Sequence, residues 1–282
     1  MQTHTSDKFV LAGVMGWPIS HSRSPVIHGH WIHQLGLRGT YVPLAVNPVL
    51  LPQALGGLAA LGFAGCNLTL PHKVDALAYV HQLDDKARQI GAVNTVMVNP
   101  DGSLRGTNTD AFGYIQSLHE AQSGWQAAQA VAVVLGAGGA ARAVLWALAD
   151  AGAKEIRLLN RSGEKADVLA SEYGSPVHAY AWEQRHDALS DATLLVNTTT
   201  QGMQGQPVLD IDLAKLPVHA VVSDIVYTPL QTDLLIRAHH RGNPTVNGLG
   251  MLLHQARPGF AAWFGVMPDV TPDLWKAVMS TL

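Results

Sequence analysis

The segment 131–162, VAVVLGAGGAARAVLWALADAGAKEIRLLNRS, constrains the fold of this chain more than any other. It begins with a continuous apolar run at 131–135, which is typical of a strand buried on both faces of a parallel sheet. A glycine-rich loop, an apolar helical stretch and a second apolar run follow, so the pattern is a β-loop-α-loop-β unit. Because parallel strands need such a crossover, the chain is expected to contain an α/β layer with a mainly parallel sheet.

The loop of this unit predicts a dinucleotide site. Gly136, Gly138 and Ala141 have the spacing G-x-G-x-x-A between the first strand and the helix. The first glycine allows a tight turn, the second lets the backbone approach a pyrophosphate, and the small third residue lets helix and strand pack closely. The helix N-terminus attracts the negative charge. The residues predicted to bind the cofactor here are Gly136, Ala137, Gly138, Gly139, Ala140 and Ala141.

The end of the second strand indicates which dinucleotide binds. An NAD-specific unit usually has an acidic residue there for the ribose hydroxyls, whereas this chain has Asn160, Arg161 and Ser162, with Lys165 close by. A guanidinium can pair with a 2′-phosphate, which an acidic side chain would repel. These residues favour NADP, and a nicotinamide cofactor in turn indicates hydride transfer.

The remaining segments also read as strands and helices in alternation. Strands are predicted at 8–16, 40–46, 63–70, 192–199 and 219–227, and a hairpin is predicted over 92–108. Helices are predicted at 24–36, at 49–61, from about Lys73, after the polar loop at 106–110 as far as 121, and at 248–265, where Pro258 should end or bend the helix.

Composition excludes several classes of protein. The 282 residues are 48% hydrophobic and 14% charged, with a net charge of −3, which is typical of a globular protein and gives no reason to expect nucleic acid or a membrane as partner. No apolar run reaches the length of a membrane span, and the first residues do not resemble a signal peptide. A single cysteine, Cys66, excludes an internal disulfide and fits a cytoplasmic protein; it is expected to be packed rather than nucleophilic. His28, His30 and His33 are expected to be structural, and no metal site is predicted.

Uncharged polar side chains cluster just past the predicted strand ends outside the cofactor unit. Ligands in open α/β sheets bind at the carboxyl ends of strands, so these side chains could converge on a ligand rich in hydroxyls. Taken singly, each could equally be a helix cap or a turn residue. The set comprises Ser22, Ser24, Asn67, Thr69, Asn94, Thr109 and the acidic Asp110.

The order of these motifs resembles the shikimate dehydrogenase family, whose NADP-dependent members reduce 3-dehydroshikimate to shikimate. The resemblance covers about residues 9–265 and rests on GWPISHSRSPVIH, GCNLTLPHK, IGAVNT, GTNTD, GAGGAAR, NRS, NTT with a following GM, DIVYTPLQT and GLGMLLHQA. It implies two α/β domains. A substrate domain would be formed by residues 1–110 with the C-terminal helices of 248–282, and a Rossmann-type NADP domain by 111–247. A monomer or a homodimer is expected.

The resemblance also implies roles for individual residues. Lys73 and Asp110 match the catalytic pair, and we hypothesise that Lys73 supplies the proton to the 3-oxygen while Asp110 positions the reacting groups. The substrate-binding residues implied are Ser22, Ser24, Asn67, Thr69, Lys73, Asn94, Asp110, Tyr227 and Gln255. Further cofactor-binding residues implied are Thr198, Met203, Ile225, Gly248 and Met251, of which Met203, Gly248 and Met251 fall near the nicotinamide side.

Three alternatives stay open at this point. One is a catabolic quinate/shikimate dehydrogenase of the same fold, and a second is another two-domain dehydrogenase, such as a folate-linked one. The third is a non-enzymatic NADP-binding sensor, which would not need Lys73 and Asp110 together. Two departures from the family pattern, Trp17 for a small polar residue and Ala111 for glycine, put fine specificity in question rather than the reaction class.

Overall fold

The computed structural model describes residues 9–282 and divides into two compact units. The first unit contains the residues up to 109 together with 255–281, and the second contains 110–254. The first boundary expected from the sequence, after residue 110, lies one residue later than the observed one after 109. The second, expected before residue 248, lies seven residues earlier than the observed one before 255. The second difference arises because one continuous helix, Gly248–Phe264, contains the crossing at 254–255.

Twelve strands form two six-stranded sheets within residues 9–282. The strands of the first sheet are β1 (Val10–Gly16), β2 (Gly39–Ala45), β3 (Phe63–Leu68), β4 (Gln82–Leu83), β5 (Thr95–Val98) and β6 (Leu104–Thr107). Those of the second sheet are β7 (Val131–Leu135), β8 (Glu155–Leu159), β9 (Val177–Tyr180), β10 (Leu194–Asn197), β11 (Val221–Asp224) and β12 (Thr245–Val246).

Nine α-helices connect or cover these strands within the same residues. They are α1 (Ser24–Gln34), α2 (Leu51–Gly57), α3 (Asp85–Ile90), α4 (Asp110–Ala121), α5 (Gly139–Asp150), α6 (Gly163–Tyr173), α7 (Asp233–His240), α8 (Gly248–Phe264) and α9 (Pro272–Met279). The mainly parallel α/β architecture predicted from the sequence is therefore confirmed.

The first sheet has the order β2-β1-β3-β5-β6-β4. Its strand pairs are parallel except those of β5, which runs antiparallel to both β3 and β6 in the predicted hairpin. Because β5 is reversed, its amino end lies at the same edge as the carboxyl ends of β1, β3 and β6. The polar residues near those four ends are thus brought to one edge of the sheet.

The second sheet has the order β12-β11-β10-β7-β8-β9, with all pairs parallel. All five residues of β7 are buried, as its continuous apolar sequence predicts. The chain leaves β7 toward β8 on one side and later returns to β10 on the other, so the strand order reverses between β7 and β10. In open α/β sheets a reversal of this kind leaves a crevice outside the strand ends, where ligands bind.

Two local predictions were wrong. Instead of a helix from Lys73, residues 70–74 form a turn and only a short 3₁₀-helix, Asp75–Ala78, follows; Ala76 is its single buried side chain, so there is little apolar surface to hold a longer helix. The helix predicted at 49–61 is shorter, because α2 ends at the glycine pair 56–57. Pro258 was expected to end or bend the last long helix; α8 does not end there, since Phe260 and Trp263 beyond it are buried.

The structure also shows the surroundings of the single cysteine, Cys66. Cys66 is fully buried, and burial raises the pKa of its thiol, which favours the packed, uncharged form. In the described part of the chain, no group of three or more His, Cys, Asp or Glu residues could hold a metal ion. None of the helices described is both long and apolar enough to cross a membrane.

Candidate active site

Four polar side chains are buried together at the edge of the first sheet. Asn67 lies near the end of β3, Asn94 directly precedes β5, Thr109 follows β6, and Gln255 lies on α8. A polar side chain removed from water is costly unless it is hydrogen-bonded, so the partners of these residues define what the edge can do.

Asn94 is the centre of this group. Its Oδ1 accepts a hydrogen bond from the backbone N–H of Thr109 at 2.8 Å. Its Nδ2 donates to Thr109 Oγ1 at 3.0 Å and to Gln255 Oε1 at 3.3 Å. The Thr109 hydroxyl donates in turn to the backbone carbonyl of Gln255 at 2.8 Å. The hairpin and α8 are therefore joined by hydrogen bonds whose donors and acceptors are fixed by backbone groups.

Asn67 extends the group along β3. Its Nδ2 donates to the backbone carbonyl of Asn94 at 3.1 Å and to Thr95 Oγ1 at 3.0 Å. Its Oδ1 accepts from the Tyr41 hydroxyl at 2.6 Å. Three of the predicted ligand-binding side chains, Asn67, Asn94 and Gln255, thus belong to one hydrogen-bonded cluster.

Ser22 and Ser24 lie in the loop between β1 and α1. Ser22 Oγ accepts a hydrogen bond from the Ser24 backbone N–H at 3.3 Å, and Ser24 is buried as the first residue of the helix. Two hydroxyls at a helix start can donate to a carboxylate, and the helix N-terminus favours that negative charge. Thr69 leaves β3 beside the same loop, and its backbone N–H donates to Met15 O at 2.9 Å.

Lys73 is half-buried on the turn that follows β3. The turn is attached on both sides. The ring of buried His72 makes a 2.9 Å hydrogen bond to Val46 O, and Lys73 O accepts from the Val93 backbone N–H at 2.7 Å. Since Val93 directly precedes Asn94, the backbone of Lys73 is tied to the polar cluster.

Asp110 is the first residue of α4 and directly follows Thr109 in the chain. Its side chain is buried, with 3% of its surface exposed. A carboxylate in the first turn of a helix interacts favourably with the helix dipole. Asp110 and Tyr227 both fall in the second unit rather than with the other residues predicted to bind substrate.

The glycine-rich loop of the second unit has the geometry its sequence predicts. Gly136 has a φ of +109°, and a Cβ there would lie 2.7 Å from Thr198 Oγ1. Thr198 cannot move away easily, because its hydroxyl donates to Leu135 O at 2.7 Å. Gly138 caps α5 in an extended conformation, and a Cβ there would meet only open space. The loop therefore turns tightly at Gly136 and leaves the start of α5 uncovered.

The residues predicted to select the cofactor lie between β8 and α6. Asn160 Nδ2 donates to Ser162 O at 2.9 Å and closes the turn, and Ser162 is the N-cap residue of α6. The side chains of Arg161 and Lys165 are exposed at this point. Two cations beside a helix N-terminus form a suitable site for a phosphate group.

The loops that follow β10 and β11, together with the first turn of α8, supply the remaining predicted cofactor residues. Ile225 donates its backbone N–H to Asn197 O at 3.1 Å, and Gly248 donates to Val226 O at 3.1 Å. A Cβ on Gly248 would lie 2.0 Å from Ile225 O, so only glycine allows this approach. Met251 is buried on α8 and Met203 is half-buried in the loop after β10.

Sequence reasoning gave no role to the residues that hold these loops. Asp224 is buried and accepts from Asn197 Nδ2 at 3.0 Å, from the Val226 N–H at 3.0 Å and from Thr232 Oγ1 at 2.7 Å. Burial raises the pKa of the Asp224 carboxyl, while these hydrogen bonds oppose that rise. The motifs NTT and DIVYTPLQT contain these residues, but only the fold shows that they meet. Tyr41 and Thr95 were likewise missed in the first unit, whereas His28 was expected to be structural and is fully buried.

Comparison with known proteins places these features in a family. Residues 14–96 match the model of the shikimate dehydrogenase substrate binding domain, 118–231 that of shikimate/quinate 5-dehydrogenase, and 248–279 that of the shikimate 5′-dehydrogenase C-terminal domain. The NADP(+) shikimate dehydrogenase of Paramagnetospirillum magneticum is 56% identical, with 98% of this chain and 100% of that protein covered.

Solved structures give the same result. Shikimate 5-dehydrogenase of Thermus thermophilus in complex with NADP(H) and shikimate has a TM-score of 0.86 at 36% identity, covering 97% of this chain and 100% of that one. Quinate dehydrogenase of Corynebacterium glutamicum in complex with NAD has a TM-score of 0.88 at 29% identity, with the same coverage. The parallel sheet with its uncovered helix start, the cations after β8 and the full-length matches agree, and the chain belongs to the shikimate dehydrogenase family of NADP-dependent oxidoreductases.

Proposed function

We propose that this chain catalyses the reversible NADPH-dependent reduction of 3-dehydroshikimate to shikimate, as in the biosynthesis of aromatic amino acids. The observation that carries the proposal is the buried cluster of Asn67, Asn94, Thr109 and Gln255 at one sheet edge, to which the Lys73 turn is tied. A substrate with several hydroxyls needs such a set of fixed, uncharged partners.

The residues of the second unit fit NADP. The uncovered start of α5 would hold the pyrophosphate, and Arg161, with Asn160, Ser162 and Lys165 around it, would hold the 2′-phosphate. When bound, NADPH supplies the hydride that reduces the ketone. The loops bearing Thr198, Met203 and Ile225, together with Gly248 and Met251, are proposed for the nicotinamide side.

Lys73 has the chemistry that ketone reduction requires. The carbonyl oxygen gains negative charge as the hydride arrives, so it needs a proton donor or a positive charge beside it. We propose that Lys73 gives its proton to this oxygen and recovers one from solvent after release. Asp110, an acceptor when ionised, would hold a substrate hydroxyl and orient the substrate.

The substrate carboxylate is assigned to Ser22 and Ser24, and the ring hydroxyls to Asn67, Thr69, Asn94 and Gln255, with Tyr227 also near the substrate. This assignment is supported by the burial of Ser24 at the start of α1 and by the cluster geometry. A cytoplasmic location and a monomeric or dimeric state stay predictions.

Steady-state assays test the proposed activity. We expect fast NADPH oxidation with 3-dehydroshikimate, NADP reduction with shikimate, and much slower turnover with NAD or with quinate. Turnover of quinate with NAD at a comparable rate would instead identify the catabolic alternative. Tight NADP binding without turnover of either acid would identify a sensor.

The cofactor assignment has its own test. The Arg161→Ala enzyme should show a KM for NADPH raised by about tenfold or more, because charge-assisted hydrogen bonds contribute about 1.5–3 kcal/mol. The KM for NADH should change by less than about twofold, since NADH has no 2′-phosphate for Arg161 to bind. Arg105→Ala removes an exposed arginine from β6 and serves as the control. Equal changes for both cofactors would contradict the assignment.

A further inference from the structure

We infer that Tyr41, supported by the ring of His28, is a positioning residue that presents Asn67 to the substrate purely as a hydrogen-bond acceptor. The motifs gave Tyr41 no role and His28 only a structural one, and both lie in the first unit, Tyr41 on β2 and His28 on α1. The inference rests on the proposed substrate site, because it concerns how one residue of that site is oriented.

The hydrogen bonds that Asn67 makes within the protein leave it one acceptor position for a ligand. An asparagine side chain has two N–H donors and two acceptor lone pairs. Both donors are used within the protein, on the Asn94 carbonyl at 3.1 Å and on Thr95 Oγ1 at 3.0 Å. One lone pair of Oδ1 accepts the Tyr41 hydroxyl at 2.6 Å. The second lone pair is what Asn67 can offer a ligand, so its partner must be a donor such as a hydroxyl.

The neighbours of the Asn67 side chain determine which end of its amide is Nδ2 and which is Oδ1. The Asn94 carbonyl can only accept, which identifies the atom facing it as Nδ2. The Thr95 hydroxyl accepts a hydrogen bond from Asn67 Nδ2 and donates its single proton to Asn94 Oδ1 at 2.9 Å. Asn94 then donates to Thr109, whose proton goes to the Gln255 carbonyl at 2.8 Å. The side-chain hydrogen bonds can therefore be followed in one direction, from the Tyr41 hydroxyl to the backbone of α8, while the Thr109 backbone N–H donates back to Asn94 Oδ1.

His28 holds the tyrosine at the start of this run. Its ring stacks on that of Tyr41 with centroids 3.9 Å apart and planes at 2°. It also lies against Trp31, Phe260 and Trp263, and its side chain is fully buried. Among the described residues neither ring nitrogen makes a hydrogen bond of normal geometry, although the Asn67 side chain lies close enough to affect the pKa of the ring; His28 therefore contributes mainly its flat face. The stacked His28 ring, with the tilted Trp263 ring also close, restricts the movement of the Tyr41 hydroxyl away from Asn67.

A double-mutant cycle tests the inference. Tyr41→Phe keeps the stacked ring and removes only the hydroxyl; we expect the KM for shikimate to rise about three- to tenfold, the range that one neutral hydrogen bond supplies. The kcat and the KM for NADP should stay within about twofold of the unmutated enzyme, because neither the proton donor nor the cofactor site is altered. In an Asn67→Ala background the same substitution should have less than a twofold effect, since its target is gone.

Two further variants separate positioning from general stabilisation. Tyr180→Phe deletes a tyrosine hydroxyl that donates to Glu155 at 3.0 Å in the second unit and should leave the shikimate KM unchanged. Thr95→Val removes an acceptor of the Asn67 amide and also the donor to Asn94 Oδ1, so it should raise that KM in the Asn67→Ala background as well. The melting temperature of each variant is measured, and the assays are run below the lowest of them, so that loss of the fold is distinguished from loss of positioning.

The outcomes are distinct. If Asn67→Ala leaves the shikimate KM unchanged, the proposed substrate site itself is wrong. If Asn67→Ala raises the KM but Tyr41→Phe does not, the positioning role is refuted while the site stands. Effects of Tyr41→Phe and Asn67→Ala that simply multiply would also refute the role, because Tyr41 would then act independently of Asn67.

Discussion

The Lys73→Ala enzyme is expected to reduce 3-dehydroshikimate with kcat lowered by about 10²-fold or more, because general acid–base steps contribute about 10²–10⁴-fold. The KM for the substrate should change much less, since the lost interaction is one made mainly as the oxygen becomes charged. Steady-state measurement of both constants, with NADPH saturating, checks this result. A kcat within a factor of a few of the original would show that Lys73 is not the proton donor.

A second substitution at this position separates the proton from the charge. Lys73→Arg keeps a positive charge, but a guanidinium does not give up a proton in proteins. If Lys73 acts as the acid, kcat should fall for arginine almost as far as for alanine. If a positive charge is sufficient, the arginine variant should retain most of the activity. Lys86→Ala, an exposed lysine of α3, is the matched control and should leave both constants unchanged.

The second large expected effect is a loss of folding stability at acidic pH, which we attribute to His28. Burial lowers the pKa of His28 from its usual 6.5 to about 3, with a weaker opposing effect from the Asn67 side chain. Between these two values the unfolded chain binds a proton that the folded chain does not. The stability associated with neutral His28 is therefore fully present above pH 6.5 and is lost as the pH falls toward 3.

The size of this loss can be stated for two convenient pH values. Between pH 7 and pH 5 the free energy of unfolding should fall by about 2 kcal/mol on account of His28 alone, which is about 30-fold in the unfolding equilibrium. His28→Phe keeps a ring against Tyr41 but cannot bind a proton. Urea titrations at both pH values should therefore show the variant gaining about 2 kcal/mol relative to the unmutated chain as the pH falls.

Other titrating groups do not disturb this comparison, because both chains contain them. Asp224, for example, acts with the opposite sign: its pKa is raised in the folded state, so folding gains rather than loses stability as the pH falls through that value. His33→Phe, at an exposed position of α1, is the control and should leave the pH dependence as it was. An unchanged difference between pH 7 and pH 5 for His28→Phe would contradict the burial of a neutral histidine.

The parts of the fold that could be predicted are those where the chain carries a local rule. The apolar run at 131–135, the loop from Gly136 to Ala141 and the Ser-Pro start of α1 each have a physical requirement that the residue types reveal, and the structure contains all three elements. The family implied by the motifs is confirmed by the comparisons. The prediction of a helix from Lys73 was wrong. The apolar pattern after Lys73 is too short to reveal from the sequence that only Ala76 would be buried.

Some residues of the candidate site could likewise be predicted from the sequence, and others could not. Asn67, Asn94 and Gln255 could be named from their motifs, and the structure joins them through hydrogen bonds. Tyr41 could not be named, because a tyrosine in a strand is usual and only the pairing of β2, β1 and β3 brings its hydroxyl to Asn67. Asp224 and Asn197 were overlooked for a similar reason: two ordinary strand ends become one buried cluster only when β10 and β11 pair.

The single direction of the side-chain hydrogen bonds from Tyr41 to Gln255 limits how this edge of the protein can change in evolution or by design. Each amide or hydroxyl receives from one neighbour and gives to the next, so reversing any member leaves two donors or two acceptors facing each other beside it. A pocket for a ligand with a different arrangement of hydroxyls is therefore not reached by exchanging one asparagine for aspartate. The members would have to change together, or be replaced by apolar residues as a set.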